Sequence, residues 1–346
     1  MNEGDLSDTD TTALNRSHLP DLDGFRGLSI LAVLAAHMLP LGPKSWMLNS
    51  VAGHIGMSIF FALSGFLICR FLWEKQDVPT FFVRRIARIA PLVMLVSFIY
   101  CILLEGRVDS FIIINLYAQN YWTSALTPAT SPFWSLAVEM HFYIAIGLAV
   151  LFFGRRGFWL LPIGAIIVLL FRIEAEVFSN INTHFRVDEI LTGGMLALAW
   201  LNRDRPLIAK IMAALPYLFW PILILWLLSC WPPSGSLGYA RAYLSALLIG
   251  SVLGMENRWQ NVVLGTKFLA YIATISFAIY VWHSPFRHGW FDAGTDIERY
   301  FFKRPLAFAC IFALAHVSTF YFEKPITMAA KRISIGRAKG TARPVP

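Results

Sequence analysis

Arg26 and His37 lie eleven residues apart in LDGFRGLSILAVLAAHMLP, with only apolar or small residues between them. On a helix that step is roughly 16 Å long and returns to within about 20° of the same face. The spacing puts a guanidinium at one mouth of a membrane span and an imidazole near its middle. Ionisable groups are costly in hydrocarbon, so such a pair marks function by default. Histidine offers a proton site near neutrality, the property a general base needs. Asp23, three residues before Arg26, reaches it across one turn. A plainer arrangement also fits: an interfacial arginine and a histidine hydrogen-bonded inside the bundle.

Three more segments carry chemistry-bearing side chains. In SPFWSLAVEMHFYIAIG, Glu139 lies within an apolar helix, Tyr143 shares its face at i+4, and His141 points elsewhere. A carboxylate there needs a partner or a wet cavity. In ISFAIYVWHSPF, Ser276, Tyr280 and His283 stand at i, i+4 and i+7, one polar stripe that must face the bundle interior. In FFVRRIARIAPL, Arg85 and Arg88 are neighbours on one face with Arg84 alongside. That fork suits phosphate groups, although a basic cytoplasmic loop gives the same pattern. Cys69, Cys101, Cys230 and Cys310 are scattered without paired spacing, so neither a disulfide framework nor a metal site is expected.

The elements that must position these residues are membrane helices. The 346-residue chain is 57% hydrophobic and 14% charged, with a mean hydropathy of +0.59. A water-soluble domain carries about 25% charged residues. An all-α polytopic membrane bundle follows, with about ten spans near 25–41, 51–73, 88–104, 133–153, 158–173, 187–201, 212–231, 239–255, 268–285 and 305–322. The short ones call for tilted, broken or re-entrant helices. Residues 105–132 read as a re-entrant or interfacial piece, and 286–304 as a surface loop.

The net charge of +8 reads as topology rather than nucleic-acid binding. With both termini inside, nine of the 29 basic residues fall outside: Lys44, Arg107, Arg172, Arg186, Arg241, Arg287, Arg299, Lys303 and Arg304. The other 20 fall inside, which sets the orientation N-in and C-in. A cytoplasmic tail over 1–20 without a cleavable signal, a membrane domain over 21–326 and a basic tail over 327–346 that meets anionic lipid complete the expected organisation.

Taken together and in order, these segments resemble the acyltransferase 3 family of integral membrane O-acyltransferases. Its members act on O-antigens, exopolysaccharides, Nod factors and macrolides. The resemblance runs over about residues 20–326. It rests on the Arg26-x10-His37 pair, SIFFALSGFLI, Arg85-x-x-Arg88, FWSLAVEMHFY, RVDEILTGGMLA, SFAIYVWHSP and YFEKP. Some members carry an added C-terminal esterase-like domain, for which this sequence shows no counterpart. A separate periplasmic acyltransferase or glycan-assembly partner is one expectation, and direct action on the acceptor is the other.

The resemblance implies transfer of an acyl group, usually acetyl, from acyl-CoA to a hydroxyl, in the bacterial inner membrane. On that reading Arg84, Arg85 and Arg88 grip the donor's phosphates, and His37 is the catalytic centre, as base or as transient acyl carrier. Arg26 and Asp23 hold the helix end. Glu139, Tyr143, Ser276, Tyr280 and His283 line the outer half and bind the acceptor. A cell-envelope glycan is the first acceptor expected, with a macrolide or lipid-linked oligosaccharide next. A proton-coupled exporter using His37 and Glu139 as a relay is the rival from another class.

Overall fold

The computed structural model describes residues 19–253 and 259–340. The expected N-terminal tail up to residue 18 lies outside them, as do Arg258 and the last six residues of the expected basic tail. The described residues are helical, with no strand among them. The α-helices are α1 (Pro20–Met38), α2 (Leu48–Lys75), α3 (Val78–Ser97), α4 (Val108–Asn115), α5 (Trp134–Phe153), α6 (Leu160–Glu174), α7 (Thr183–Arg186) and α8 (Asp188–Leu201). They continue with α9 (Pro206–Ala214), α10 (Phe219–Cys230), α11 (Arg241–Val252), α12 (Trp259–Leu264), α13 (Lys267–Trp282), α14 (Arg304–Val317) and α15 (Lys324–Gly340).

The ten expected apolar segments overlap these helices, the one at 212–231 divided between α9 and α10 and the one at 239–255 described as far as residue 253. Five continuous helical stretches are long and apolar enough to cross a membrane: Lys44–Lys75, Val78–Leu104, Ser131–Glu174, Pro206–Cys230 and Glu298–Ile333. Their outward faces carry bare hydrocarbon, with Phe152, Phe153, Trp159 and Leu104 more than 60% exposed. Water does not tolerate such a surface and lipid does. The chain is an integral membrane protein.

Three local rules move boundaries away from the sequence expectation. Helix α1 stops at Met38 because Leu39, extended at φ −118° and ψ 146°, precedes Pro40. His37 therefore stands in the last turn of its helix and not mid-span. Helix α3 begins at Val78, where the Asp77 carboxylate caps the Thr80 N–H at 3.1 Å. Arg84 and Arg85, ahead of the span expected from residue 88, are thus inside the same helix as Arg88, with Arg85 and Arg88 one turn apart as their spacing predicts. Between α9 and α10, Leu215–Leu218 tightens to a 3-10 turn at Pro216, so the segment expected at 212–231 is broken.

The core is built by backbone contact. Helix α2 packs most closely on α8 and α1, and α1 on α13. A Cβ on Gly65 would collide with the Ile190 carbonyl oxygen, and one on Gly193 with that of Ala62. Without a hydrophobic driving force between helices in lipid, such close approach supplies the van der Waals contact that holds them. Ser29 adds a polar tie, donating to the Gly56 carbonyl at 2.5 Å. This scaffold fixes α1, α2, α8 and α13 against one another, and α1, α2 and α13 line the cavities described below.

Gly65→Val must push backbone from backbone and costs about 3 kcal/mol or more. Gly53→Ala meets only the Ala36 Cβ at 3.7 Å. Thermal unfolding of the purified protein in detergent should show a large drop in melting temperature for the first variant and none for the second. Equal melting of both would contradict the packing described.

Candidate active site

Two helix ends bring two imidazoles together. His37 closes α1, and His283 is the residue that ends α13. His283 Nδ1 lies 2.7 Å from the Tyr280 carbonyl oxygen, one of the acceptors left free at the end of a helix. A carbonyl only accepts, so Nδ1 carries the proton, and in the neutral ring Nε2 is the acceptor. That Nε2 lies 2.9 Å from His37 Nδ1, which must therefore donate. The rings are parallel within 3° with centroids 5.1 Å apart, as two rings lying edge to edge across this hydrogen bond require. His37 Nε2 is left with its lone pair. The relay from carbonyl to imidazole to imidazole is the arrangement by which a general base is oriented.

The surroundings hold this relay still. The Asn49 side-chain amide donates to the Ala36 and Leu39 carbonyls at 2.8 and 2.7 Å, closing the end of α1 beside His37. The Tyr280 hydroxyl donates to the Pro132 carbonyl and also meets the Ser135 hydroxyl at 2.5 Å, which ties α13 to the start of α5. In the loop outside the spans, burial first and Arg287 second hold the His288 imidazole below its ordinary range.

Three cavities succeed one another along the bundle. The histidine chamber, about 350 Å³, is lined by His37, Asn49, His54, Trp134, Arg186 and Tyr280 among others. At the opposite end an arginine pocket of about 340 Å³ is lined by Phe71, Phe81, Arg84, Arg85, Arg88, Thr327 and Lys331. Between them a narrow chamber of about 40 Å³ holds Arg26, Phe60, Ser64, Arg85, Arg88, Glu139, Tyr143 and Ser276. Arg85 and Arg88 line both the pocket and the narrow chamber. The Phe60 ring, in the narrow chamber, faces the Tyr280 ring of the histidine chamber at 6.2 Å, so this ring pair separates the two.

The narrow chamber gathers charge. Glu139 is 4% exposed, with the hydroxyls of Ser64 and Tyr143 facing its carboxylate. Ser64 and Tyr143 also bond each other at 3.1 Å, and the Arg85 guanidinium lies 5.7 Å from the Tyr143 ring centre. Asp23 approaches Arg26 to 3.9 Å, as the i, i+3 spacing predicts.

The expected site residues are thus divided. His37, Tyr280 and His283 meet around the histidine chamber. Glu139, Tyr143 and Ser276, grouped with them from sequence, instead share the narrow chamber with Arg26, Arg85 and Arg88. Helix α5 starts at Trp134, so Glu139 and Tyr143 lie roughly 7 and 14 Å further along it, at the level that the second and third turns of α3 reach. His141 bonds Thr183 at 2.7 Å and stays out of all three cavities.

A further polar cluster escaped the sequence reading. Arg172, Arg186 and Arg241, counted there on the outer side, are each 2% exposed. Arg172 pairs with Asp188, while Arg186 and Arg241 both reach Glu189 Oε1 at 3.1 Å, where Ser58 also donates at 2.8 Å. The Arg186–Glu189 spacing was visible, but Arg241 lies 52 residues from its partner and no local pattern announces it. His54, bonded to the Cys230 carbonyl at 2.9 Å, gave no signal either.

The family model described as an acyltransferase domain matches residues 19–324, nearly every residue named above. The chain belongs to this acyltransferase family. It is 27% identical to the peptidoglycan O-acetyltransferase OatA of Listeria monocytogenes, over 91% of this chain and 57% of that protein. It is 26% identical to the Bacillus subtilis protein named "Putative peptidoglycan O-acetyltransferase YrhL", over 89% of this chain and 55% of that one. The chain therefore spans little more than half the length of these relatives. No solved structure matches it.

The relay gives His283 a role separable from bulk. His283→Leu removes the acceptor for His37 Nδ1–H and should lower kcat about 10³-fold with KM for the acyl donor unchanged. His283→Gln, able to donate to the Tyr280 carbonyl and accept from His37, should recover much of the loss. Steady-state kinetics of both variants decide; equal loss in each would leave His283 as packing only.

Proposed function

We propose that the protein is a membrane O-acetyltransferase that moves an acetyl group from acetyl-CoA to a hydroxyl of a cell-envelope glycan, with His37 as general base. The observation that carries this reading is the succession of cavities: guanidiniums at one end, an oriented imidazole with a free Nε2 at the other, and a narrow polar chamber of about 40 Å³ between. The names of the relatives support the O-acetyl chemistry and the glycan class. The arginine end faces the cytoplasm in this reading, as the basic-residue asymmetry predicts, in the bacterial inner membrane.

The residues present fit the donor. Arg84, Arg85 and Arg88 with Lys331 supply cations for its phosphates, and the arginine fork matches phosphate geometry. The slim pantetheine arm follows the narrow chamber past Ser64, Glu139 and Ser276. The thioester then lies beyond the Phe60–Tyr280 ring pair, beside His37. His37 Nε2 takes the acceptor hydroxyl proton as that oxygen bonds to the thioester carbonyl carbon. The C–S bond breaks as the tetrahedral intermediate collapses. The proton passes from His37 to the departing thiolate, leaving ester and free thiol. His283 accepts from His37 Nδ1–H throughout and so keeps the ring aimed.

The test is acetyl transfer by the purified protein in lipid nanodiscs, with acetyl-CoA and soluble peptidoglycan fragments, read by mass spectrometry of the fragments. His37→Ala should abolish transfer while acetyl-CoA binding persists. Arg85→Ala with Arg88→Ala should raise KM for acetyl-CoA about tenfold or more. Near-normal transfer by the first variant, or an unchanged donor requirement in the second, would overturn the assignment.

A further inference from the structure

The buried cluster beside the histidine chamber is not electrically balanced. Three guanidiniums, Arg172, Arg186 and Arg241, face two carboxylates, Asp188 and Glu189, and all five are at most 2% exposed. A buried charge without a counterion is strongly unfavourable, so the extra positive charge calls for an anion from elsewhere. Among the described residues, no acidic side chain lines the histidine chamber.

Arg186 is the member of the cluster that reaches the chamber wall. Its Nη1 is committed to Glu189, but its Nε has no hydrogen-bond partner among the described residues. The guanidinium lies 5.6 Å from the Phe61 ring centre and 6.0 Å from that of Trp134, two apolar faces that screen it from water. A buried, partly unsatisfied guanidinium at the edge of a 350 Å³ cavity is a built anion site. The cavity is of the size that holds a sugar-sized ligand. One surplus charge matches a monoanion, and the planar guanidinium edge matches a carboxylate.

We infer that the histidine chamber takes an acceptor bearing a carboxylate, bound by Arg186 next to the hydroxyl that His37 activates. The inference rests on the proposed function in taking this chamber as the acceptor side. It adds the substrate class: an acidic sugar rather than a neutral one. Glu189, held by Arg186, Arg241 and Ser58, keeps the guanidinium in place without neutralising the cluster.

Binding of methyl β-glucuronide and of its uncharged methyl ester, measured by calorimetry on the full chain in nanodiscs without donor, tests this. The acid should bind about tenfold or more tightly than the ester. Arg186→Gln should bring the two within about threefold, and Arg186→Lys, which keeps the charge but not the fork, should fall between. Equal binding of the two probes, no binding of the acid, or an undiminished preference in a folded Arg186→Gln overturns the inference. If Arg186→Gln does not fold, the wild-type comparison and Arg186→Lys still decide. Acid preference without acetyl transfer from acetyl-CoA to any acceptor would leave this site and remove the proposed reaction. Transfer with equal binding of the probes would do the reverse.

Discussion

The Tyr280 carbonyl oxygen accepts hydrogen bonds and cannot donate them, and the tautomers of both neighbouring imidazoles follow from that asymmetry. It fixes the proton on His283 Nδ1, the acceptor on His283 Nε2, the proton on His37 Nδ1 and the lone pair on His37 Nε2. The carbonyl is available because α13 ends there, and His37 is within reach because α1 ends at Leu39-Pro40. Two helix terminations thus orient two otherwise ordinary histidines and leave His37 Nε2 with a free lone pair. Everything that holds α1 against α13 and α5, from Asn49 to the Tyr280 hydroxyl, serves that hydrogen bond.

Lipid imposes the second constraint. Charged and polar groups in the bundle pair with one another in separate groups, with Arg186 Nε left over among the described residues. Around Glu139 the partners are hydroxyls and the arginines of α1 and α3. Around Glu189 they are Arg186, Arg241 and Ser58, drawn from three parts of the chain. The glycines that let α2 meet α8 backbone to backbone bring Ser58 and Glu189 together. Close packing and charge pairing are therefore one device: loosening the first strands the second in hydrocarbon.

Much of this was legible in the sequence, because membrane helices announce themselves by continuous hydrophobicity and their polar residues stand out. The Arg26–His37 step lies on α1, the Ser276–Tyr280–His283 stripe on α13 and its cap, and the Arg85–Arg88 pair on α3, each on a helix as its spacing requires. Depth was less legible. Apolar runs do not mark where a helix begins, so the span expected from residue 88 misses the first ten residues of α3. Glu139 was accordingly set on the wrong side of the Phe60–Tyr280 ring pair. Pairings across long sequence separations were not legible at all: Arg241 with Glu189, or His54 with the Cys230 carbonyl, leave no periodic trace.

A structure of the protein with a non-hydrolysable acetyl-CoA analogue tests most directly whether the donor reaches from the arginine pocket past the Phe60–Tyr280 rings to His37. The account predicts the phosphates against Arg84, Arg85 and Arg88, the pantetheine arm in the narrow chamber, and the acetyl carbonyl past the Phe60–Tyr280 rings beside His37. An acetyl group held on the arginine side of that ring pair, or a donor bound outside the three cavities, would contradict it.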